Sequence, residues 1–162
     1  IDVAFRASEV ESSSLIARPI GFGQLIVCAT PEYLEKYGEP RHPSELEGHE
    51  IIRHPGIPLS MHTKNAEVQI PSKSRLLIND MSFIHKVTLG HQCIGIVPAM
   101  LALQDINAGK LKHLLRDYGF VRKQFYLVYA NRQKSSKISA FVDFVMARVG
   151  EGSAWQTHNL IS

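Results

Sequence analysis

Short apolar runs alternate with amphipathic segments along this chain. Runs rich in strand-forming residues cover positions 2–6, 15–20, 24–29, 75–78, 93–97, 110–115 and 124–130. Helical patterns bounded by capping residues, glycine or proline cover 31–37, 81–89, 98–107 and 136–149. Residues 53–75 alternate poorly and contain Gly56, Pro58 and Pro71, which predicts a hairpin or a loop. The alternation of strands and helices predicts an α/β fold with a largely parallel sheet.

The segment CATPEYLEKYGEP, residues 28–40, joins a strand directly to a helix. Thr30 offers a hydroxyl as N-cap, and Pro31 fits the first helical position because that position needs no N–H donor. Gly38 suits the left-handed conformation that often ends a helix. The segment therefore predicts a strand end followed by a helix of about two turns.

Three strand-to-helix junctions have this form, at Ala29/Thr30, Ile78–Asp80 and Val97/Pro98. Ligands of open α/β sheets gather where strands end and helices begin, because helix N-termini present free amides to anions. Convergence of two or more of these junctions would make a cradle for a small anion. Every helix that follows a strand needs a start, however, so capping residues alone leave a purely structural role open.

Composition and charge exclude several classes of protein. With 44% hydrophobic and 20% charged residues among 162, the chain reads as globular and is long enough to bury a core. Its longest apolar stretch, 94–103, contains Pro98 and is about half the length of a membrane span, so no membrane association is expected. The first residues lack the pattern of a secretory signal. Lysines and arginines are scattered without interleaved aromatics, which favours a solvated surface over a nucleic-acid interface.

Cysteine and histidine usage indicates neither a metal nor a cofactor. Cys28 and Cys93 are 65 residues apart, match no zinc spacing and lie in apolar runs, which predicts buried thiols and a reducing, cytoplasmic setting. The eight histidines contain no HExxH motif and no helical pair at i, i+4, so isolated histidines are expected.

An ordered set of segments resembles the effector-binding region of LysR-type transcriptional regulators. The segments are DVAFR, LIARPIGFGQLIVCATPEYLEKYGEPRHPSELEGHEII, LLINDMSFIHKVTLGHQCIGIVPAMLALQDINAGKLKHLL and FYLVYANRQKSSKISAFVDFV. They follow one another in the family's order from residue 2 to about 149, and no single segment is decisive. The resemblance implies a two-lobed, periplasmic-binding-protein-like (type 2) fold with an incomplete first lobe. On that basis residues 1–28 and 126–150 form the partial first lobe, 29–125 the second lobe, and 151–162 a C-terminal tail.

The resemblance also implies partners. Family members carry an N-terminal helix-turn-helix domain and a linker helix, and their first lobe begins with a strand and a helix before the position of Ile1. None of these lies in this chain, so contact with DNA is expected only through the absent domain. In the full-length protein a homodimer or homotetramer is expected, with a small organic effector between the lobes shifting the population of conformations.

The resemblance and the strand ends together pick out candidate effector-binding residues. Arg6 ends the strand DVAFR, where its guanidinium would pair with a carboxylate, and Ala7 and Ser8 follow it. The second-lobe candidates lie at or before helix starts: Thr30, Ile78, Asn79, Gly95, Ile96 and Val97. Asp80 is expected to act as a helix cap rather than as a ligand contact.

Two other functions remain as alternatives. An extracytoplasmic solute-binding protein would use the same hinged fold for transport. An enzyme would need a nucleophile with a base, for which Cys28 with His85 or His91 is conceivable, but no GxSxG, P-loop or GxGxxG motif frames a reactive residue. The sequence therefore predicts a sensing module without catalytic activity.

Overall fold

The computed structural model describes residues 2–7, 14–71, 74, 76–130 and 135–149. The expected C-terminal tail at 151–162 lies outside the described residues. The strands are β1 (Val3–Arg6), β2 (Leu15–Gly23), β3 (Leu25–Ala29), β4 (Ile51–Arg53), β5 (Ser60–His62), β6 (Glu67–Gln69), β7 (Leu76–Leu77), β8 (Ile94–Pro98), β9 (Lys112–Leu114) and β10 (Lys123–Ala130). The helices are α1 (Pro31–Tyr37), α2 (Met81–Thr88), α3 (Ala99–Asn107) and α4 (Ser136–Val149), with a 3-10 helix at Pro43–Gly48.

The chain forms two compact units, which divide at Gly23/Gln24 and at Val121/Arg122. The lobe boundaries expected from the resemblance stay a prediction. In the first unit β1, β10 and β2 pair in that order, and both pairings are antiparallel. Helix α4 packs on this sheet through buried valines that contact Ile20 and Leu127. Its apolar spacing in the sequence predicts this buried face.

The second unit is built on a five-stranded sheet in the order β7-β4-β8-β3-β9. β4 pairs in parallel with both β7 and β8, whereas β3 is antiparallel to β8 and to β9. The prediction of a largely parallel sheet is therefore wrong, and the fold is a mixed α/β one. β2, which precedes β3, belongs to the other sheet, so the direction of β3 is set by its own antiparallel pairing with β8 and β9.

The second unit buries apolar side chains on both faces of its sheet. One face carries a cluster with Val27, Tyr33, Leu46, Ile96 and further residues from the 3-10 helix and the 53–75 segment, which forms the hairpin β5–β6. The other face packs against α2, whose Ile84 and Thr88 are fully buried. In the part of the chain that is described, no helix is long and apolar enough to cross a membrane.

Candidate functional site

Three parallel strands of the second unit end at the same edge of its sheet. Because β4 is parallel to β7 and β8, the residues that follow these three strands lie at one edge. We call this the carboxyl edge and define it by His54, Ile78, Asn79, Asp80 and Pro98. Edges of this kind are the usual ligand-binding places of open α/β sheets.

A hydrogen-bonded pair at the carboxyl edge fixes the orientation of an amide. The Gly56 N–H donates to His54 Nδ1 at 2.9 Å, so the neutral ring carries its hydrogen on Nε2. That Nε2–H donates to Asn79 Oδ1 at 2.6 Å. Since the amide oxygen of Asn79 is bound to His54, its NH₂ group points away from the ring. Asn79 is exposed, and its NH₂ group is therefore placed to donate to a ligand oxygen.

Two helices begin at the carboxyl edge. Asp80 Oδ1 accepts a hydrogen bond from the Phe83 N–H at 2.9 Å, which confirms Asp80 as the N-cap of α2. Helix α3 begins after Pro98; no side chain of the described residues caps it, and its Ala99 N–H donates to the Gln24 carbonyl at 2.8 Å. The positive end of the α3 dipole and its first-turn amides therefore favour a negative group at this edge.

Thr30 and the start of α1 lie at the opposite edge of the sheet. β3 is antiparallel to β8, with Leu25 opposite Pro98 and Cys28 opposite Gly95. Thr30 is five residues beyond Leu25, so roughly 17 Å of extended strand separates it from the level of Pro98. Of the three strand-to-helix junctions, the one at α1 therefore does not converge with the other two, because the direction of β3 is reversed.

The edge that contains Thr30 is closed by the chain's own contacts. Thr30 is fully buried, and its hydroxyl accepts a hydrogen bond from the Tyr33 N–H at 3.3 Å. The Tyr33 hydroxyl in turn accepts from the Glu50 N–H at 3.2 Å and lies 3.2 Å from His49 Nδ1. Burial and capping account for Thr30 completely, and the structure does not bring it together with Asn79.

Gly95, Ile96 and Val97 lie inside the sheet rather than at its edge, and all three are buried. A Cβ atom at Gly95 would come within 2.0 Å of Thr88 Oγ1. Glycine at this position therefore allows α2 to pack closely against β8. Ile78 is half-buried and precedes Asn79 at the carboxyl edge.

The remaining candidates belong to the first unit. Arg6 ends β1 opposite Tyr126 of β10, and both Arg6 and Ala7 are exposed. Ser8 lies outside the described residues. The assignment of Arg6, Ala7 and Ser8 to the effector site stays a prediction.

The cysteines do not have the environment of reactive thiols. Cys28 and Cys93 are both buried thiols. Burial, and secondarily the neighbouring Cys93, raises the pKa of Cys28 to about 12, so this thiol is protonated at neutral pH and is a poor nucleophile. His85 lies 3.0 Å from Asp105 Oδ2 and His91 3.4 Å from Glu32 Oε2, each in an ion pair when protonated. Over the described ranges no group of three or more histidines, cysteines and carboxylates could hold a metal ion.

The fold and the carboxyl edge define a class of ligand-binding α/β domains, and comparison with known proteins specifies the family. The family model of the LysR substrate binding domain matches residues 1–150. The chain therefore belongs to the LysR substrate-binding domain family, and its fold is the type 2 periplasmic-binding-protein-like fold of regulatory domains in that family.

The relatives and the solved structures that the chain resembles are transcriptional regulators. The HTH-type transcriptional activator AaeR of Escherichia coli K12 is 29% identical over 139 residues, which cover 83% of this chain and 45% of AaeR. The HTH-type regulator YcaN of the same strain is 31% identical over 149 residues, covering 89% of this chain and 49% of YcaN. The chain thus spans about half the length of these curated relatives.

Solved structures agree with this assignment. The regulatory domain of CrgA from Neisseria meningitidis superposes with a TM-score of 0.82 at 26% identity, covering 93% of this chain and 76% of that one. Full-length AphB, a virulence activator from Vibrio cholerae, superposes with a TM-score of 0.83 at 26% identity, covering 90% of this chain and 51% of AphB. This chain is an effector-binding domain of the LysR type.

His54 is the residue of the carboxyl edge that sequence reasoning missed. The segment Glu50–Arg53 precedes a Pro- and Gly-containing stretch and was too short to predict a strand from periodicity. Recognition of β4 at Ile51–Arg53 would have placed His54 at a strand end, like the residues that end β7 and β8. The apolar pair Ile51 and Ile52 is the signal from which β4 could have been found.

Proposed function

We propose that this domain senses a small organic anion, which binds at the carboxyl edge of the second unit. The arrangement of Asn79 is the observation that carries the proposal, because His54 holds its amide with the donor side outward. The start of α3 lies at the same edge, and its first-turn N–H groups beyond Ala99 add a second source of donors for a carboxylate. Both features favour an acceptor-rich, negatively charged ligand over a cation.

The proposed role of binding is regulatory. The full-length protein is proposed to carry a helix-turn-helix domain, to assemble as a homodimer or homotetramer, and to act on DNA in the cytoplasm. The named regulators that the chain resembles support this proposal. The effector shifts the population between two arrangements of the protein by binding one of them more tightly, and the size of the shift equals that difference in affinity.

Calorimetric titration of the full-length protein with benzoate, succinate and glutarate tests the proposal. We expect at least one of these acids to bind, and Asn79→Ala to weaken its binding by about tenfold to a hundredfold, since a hydrogen bond to a charged group contributes about 1.5–3 kcal/mol. His54→Ala is expected to weaken binding by less, because Asn79 remains but is no longer held in one orientation.

Asn107→Ala is the matched control, because Asn107 is an exposed asparagine at the far end of α3. Its affinity is expected to equal that of the unmodified protein. Equal affinities for the Asn79 and Asn107 variants, or binding by none of the acids, would contradict the proposed site. In the same titration, an unchanged affinity of Arg6→Ala would remove Arg6 from the effector site.

A further inference from the structure

Arg18 occupies a position of the first unit where the strand pattern calls for an apolar residue. On β2 it lies between Ile16 and Ile20, both of which contribute to the core under α4. Its partner across the antiparallel pair is Leu127, which is fully buried in that core. Residues opposite each other in such a pair project to the same face. Arg18 therefore lies on the same face of the sheet as α4, and it is exposed there.

A cavity lies beside Arg18, between the β2–β10 ribbon and α4. Its volume is about 150 Å³, and it is lined by Arg18, Tyr129, Ile138, Ser139, Val142 and Asp143. A cavity of about 150 Å³ accommodates a molecule of the size of benzene, which has six heavy atoms. Arg18 and Asp143 are exposed, so the cavity is open to solvent, and its volume suits a small metabolite better than an aromatic amino acid.

The charged groups of the cavity have opposite signs. Neither the Arg18 side chain nor the Asp143 side chain forms an ion pair or hydrogen bond with another residue that the structure describes. Ile138 and Val142 supply an apolar side, and Ser139 supplies a hydroxyl. A simple anion at Arg18 would meet repulsion from Asp143, whereas a ligand with both charges satisfies both groups.

We propose that this cavity is a second ligand site, separate from the carboxyl edge, that binds a small α-amino acid as a zwitterion. The carboxylate pairs with the Arg18 guanidinium, the ammonium group with the Asp143 carboxylate, and the short side chain packs on Ile138 and Val142. Alanine has six heavy atoms and serine seven, so these match the size of the cavity. Phenylalanine, with twelve, exceeds it.

Equilibrium dialysis of the full-length protein with radiolabelled L-alanine tests this site. We expect saturable binding, competition by L-serine, and at least tenfold weaker competition by propionate, which lacks the ammonium group, and by L-phenylalanine. Arg18→Gln is expected to reduce affinity at least tenfold, and Arg18→Lys to reduce it less because the positive charge remains.

Asp143→Asn is expected to reduce the difference in affinity between alanine and propionate, because it removes the carboxylate that selects the ammonium group. Lys137→Gln is the matched control, because Lys137 is an exposed cation on α4 that does not line the cavity, and it is expected to bind alanine normally. Unchanged affinity in both Arg18 variants would overturn the site, as would the absence of saturable alanine binding. Equal competition by propionate and serine would overturn the zwitterion and leave a plain anion site.

Discussion

Replacement of Gly95 with alanine is expected to lower the free energy of unfolding by about 1–3 kcal/mol, the usual cost of overpacking a core. The new Cβ would lie 2.0 Å from Thr88 Oγ1 and 3.1 Å from Thr88 Cβ. Rotating the Thr88 side chain offers little relief, because its hydroxyl donates to the Ile84 carbonyl at 2.9 Å and its Cβ stays in place. Helix α2 must therefore move away from β8. Chemical denaturation measures the effect as a lower midpoint at a similar slope.

Gly48→Ala provides the matched control, because a Cβ atom at Gly48 would meet nothing within 4 Å. We expect it to change the free energy of unfolding by less than about 0.5 kcal/mol. The double variant Thr88→Ala/Gly95→Ala should lose less free energy of unfolding than the two single variants lose together, because removing Thr88 Oγ1 makes room for the new methyl group. Strict additivity, or equal stability of the Gly95 and Gly48 variants, would refute the close packing of α2 on β8.

Acidification is expected to destabilise the protein through His113. This residue is 6% exposed on β9, and within the described part of the chain its Nδ1 has no hydrogen-bond partner. Burial, and secondarily the charge of Arg116, lowers the pKa of His113 to about 4 from 6.5. Between these values the unfolded chain binds a proton that the folded protein does not. Stability is therefore full above pH 6.5, falls as the pH drops towards 4, and loses up to about 3 kcal/mol from this group.

Denaturant unfolding between pH 4 and pH 7.5 measures this dependence. His113→Phe is expected to flatten the profile, because phenylalanine fills a similar volume and does not titrate. A profile that keeps its full slope in the His113 variant would show that other groups cause the acid sensitivity.

Much of the fold could be predicted from local signals in the sequence. The helix at 31–37 was predicted from its cap and its stop signals, and the structure confirms it as α1, with Thr30 as the N-cap. The apolar spacing in 136–149 predicted α4 with the same bounds. These elements are strongly specified because capping and amphipathic periodicity act within a few residues. β4, with only three residues, carries too short a pattern to be found in this way.

Strand direction was the part of the fold that local signals could not give. The segments at Ala29/Thr30 and at Val97/Pro98 look alike, since each is an apolar strand that runs into a helix. Only the pairing of Leu25 with Pro98 shows that the two strands run in opposite directions. Pairing depends on contacts between residues far apart in sequence, so a pattern read along the chain does not contain it.

The same distinction explains the outcome for the candidate site. Asn79 lies at the carboxyl edge, whereas Gly95, Ile96 and Val97 are buried inside the sheet, and Thr30 lies at the far edge. The end of a strand could be found from the sequence. Which of its residues is exposed depends on how the strand packs in the folded protein. The orienting role of His54 depends on a hydrogen bond between residues 25 apart, which no motif signals.

The carboxyl edge has properties that suit a sensor. The Ile78 N–H donates to the Arg53 carbonyl at 3.1 Å, which ties the residue before Asn79 to β4, while the Asn79 side chain remains exposed. Positioning of a polar group by a rigid framework reduces the entropy lost on binding. Asn79 and the start of α3 follow strands that are separated by β4, so roughly 10 Å of sheet lies between them.

A crystal structure of the full-length protein with the most tightly bound acid of the calorimetric series tests the central claim most directly. The account predicts that a carboxylate oxygen lies about 3 Å from Asn79 Nδ2, at the edge where α2 and α3 begin. An acid bound instead beside Thr30 and the start of α1, with the carboxyl edge empty, would contradict it.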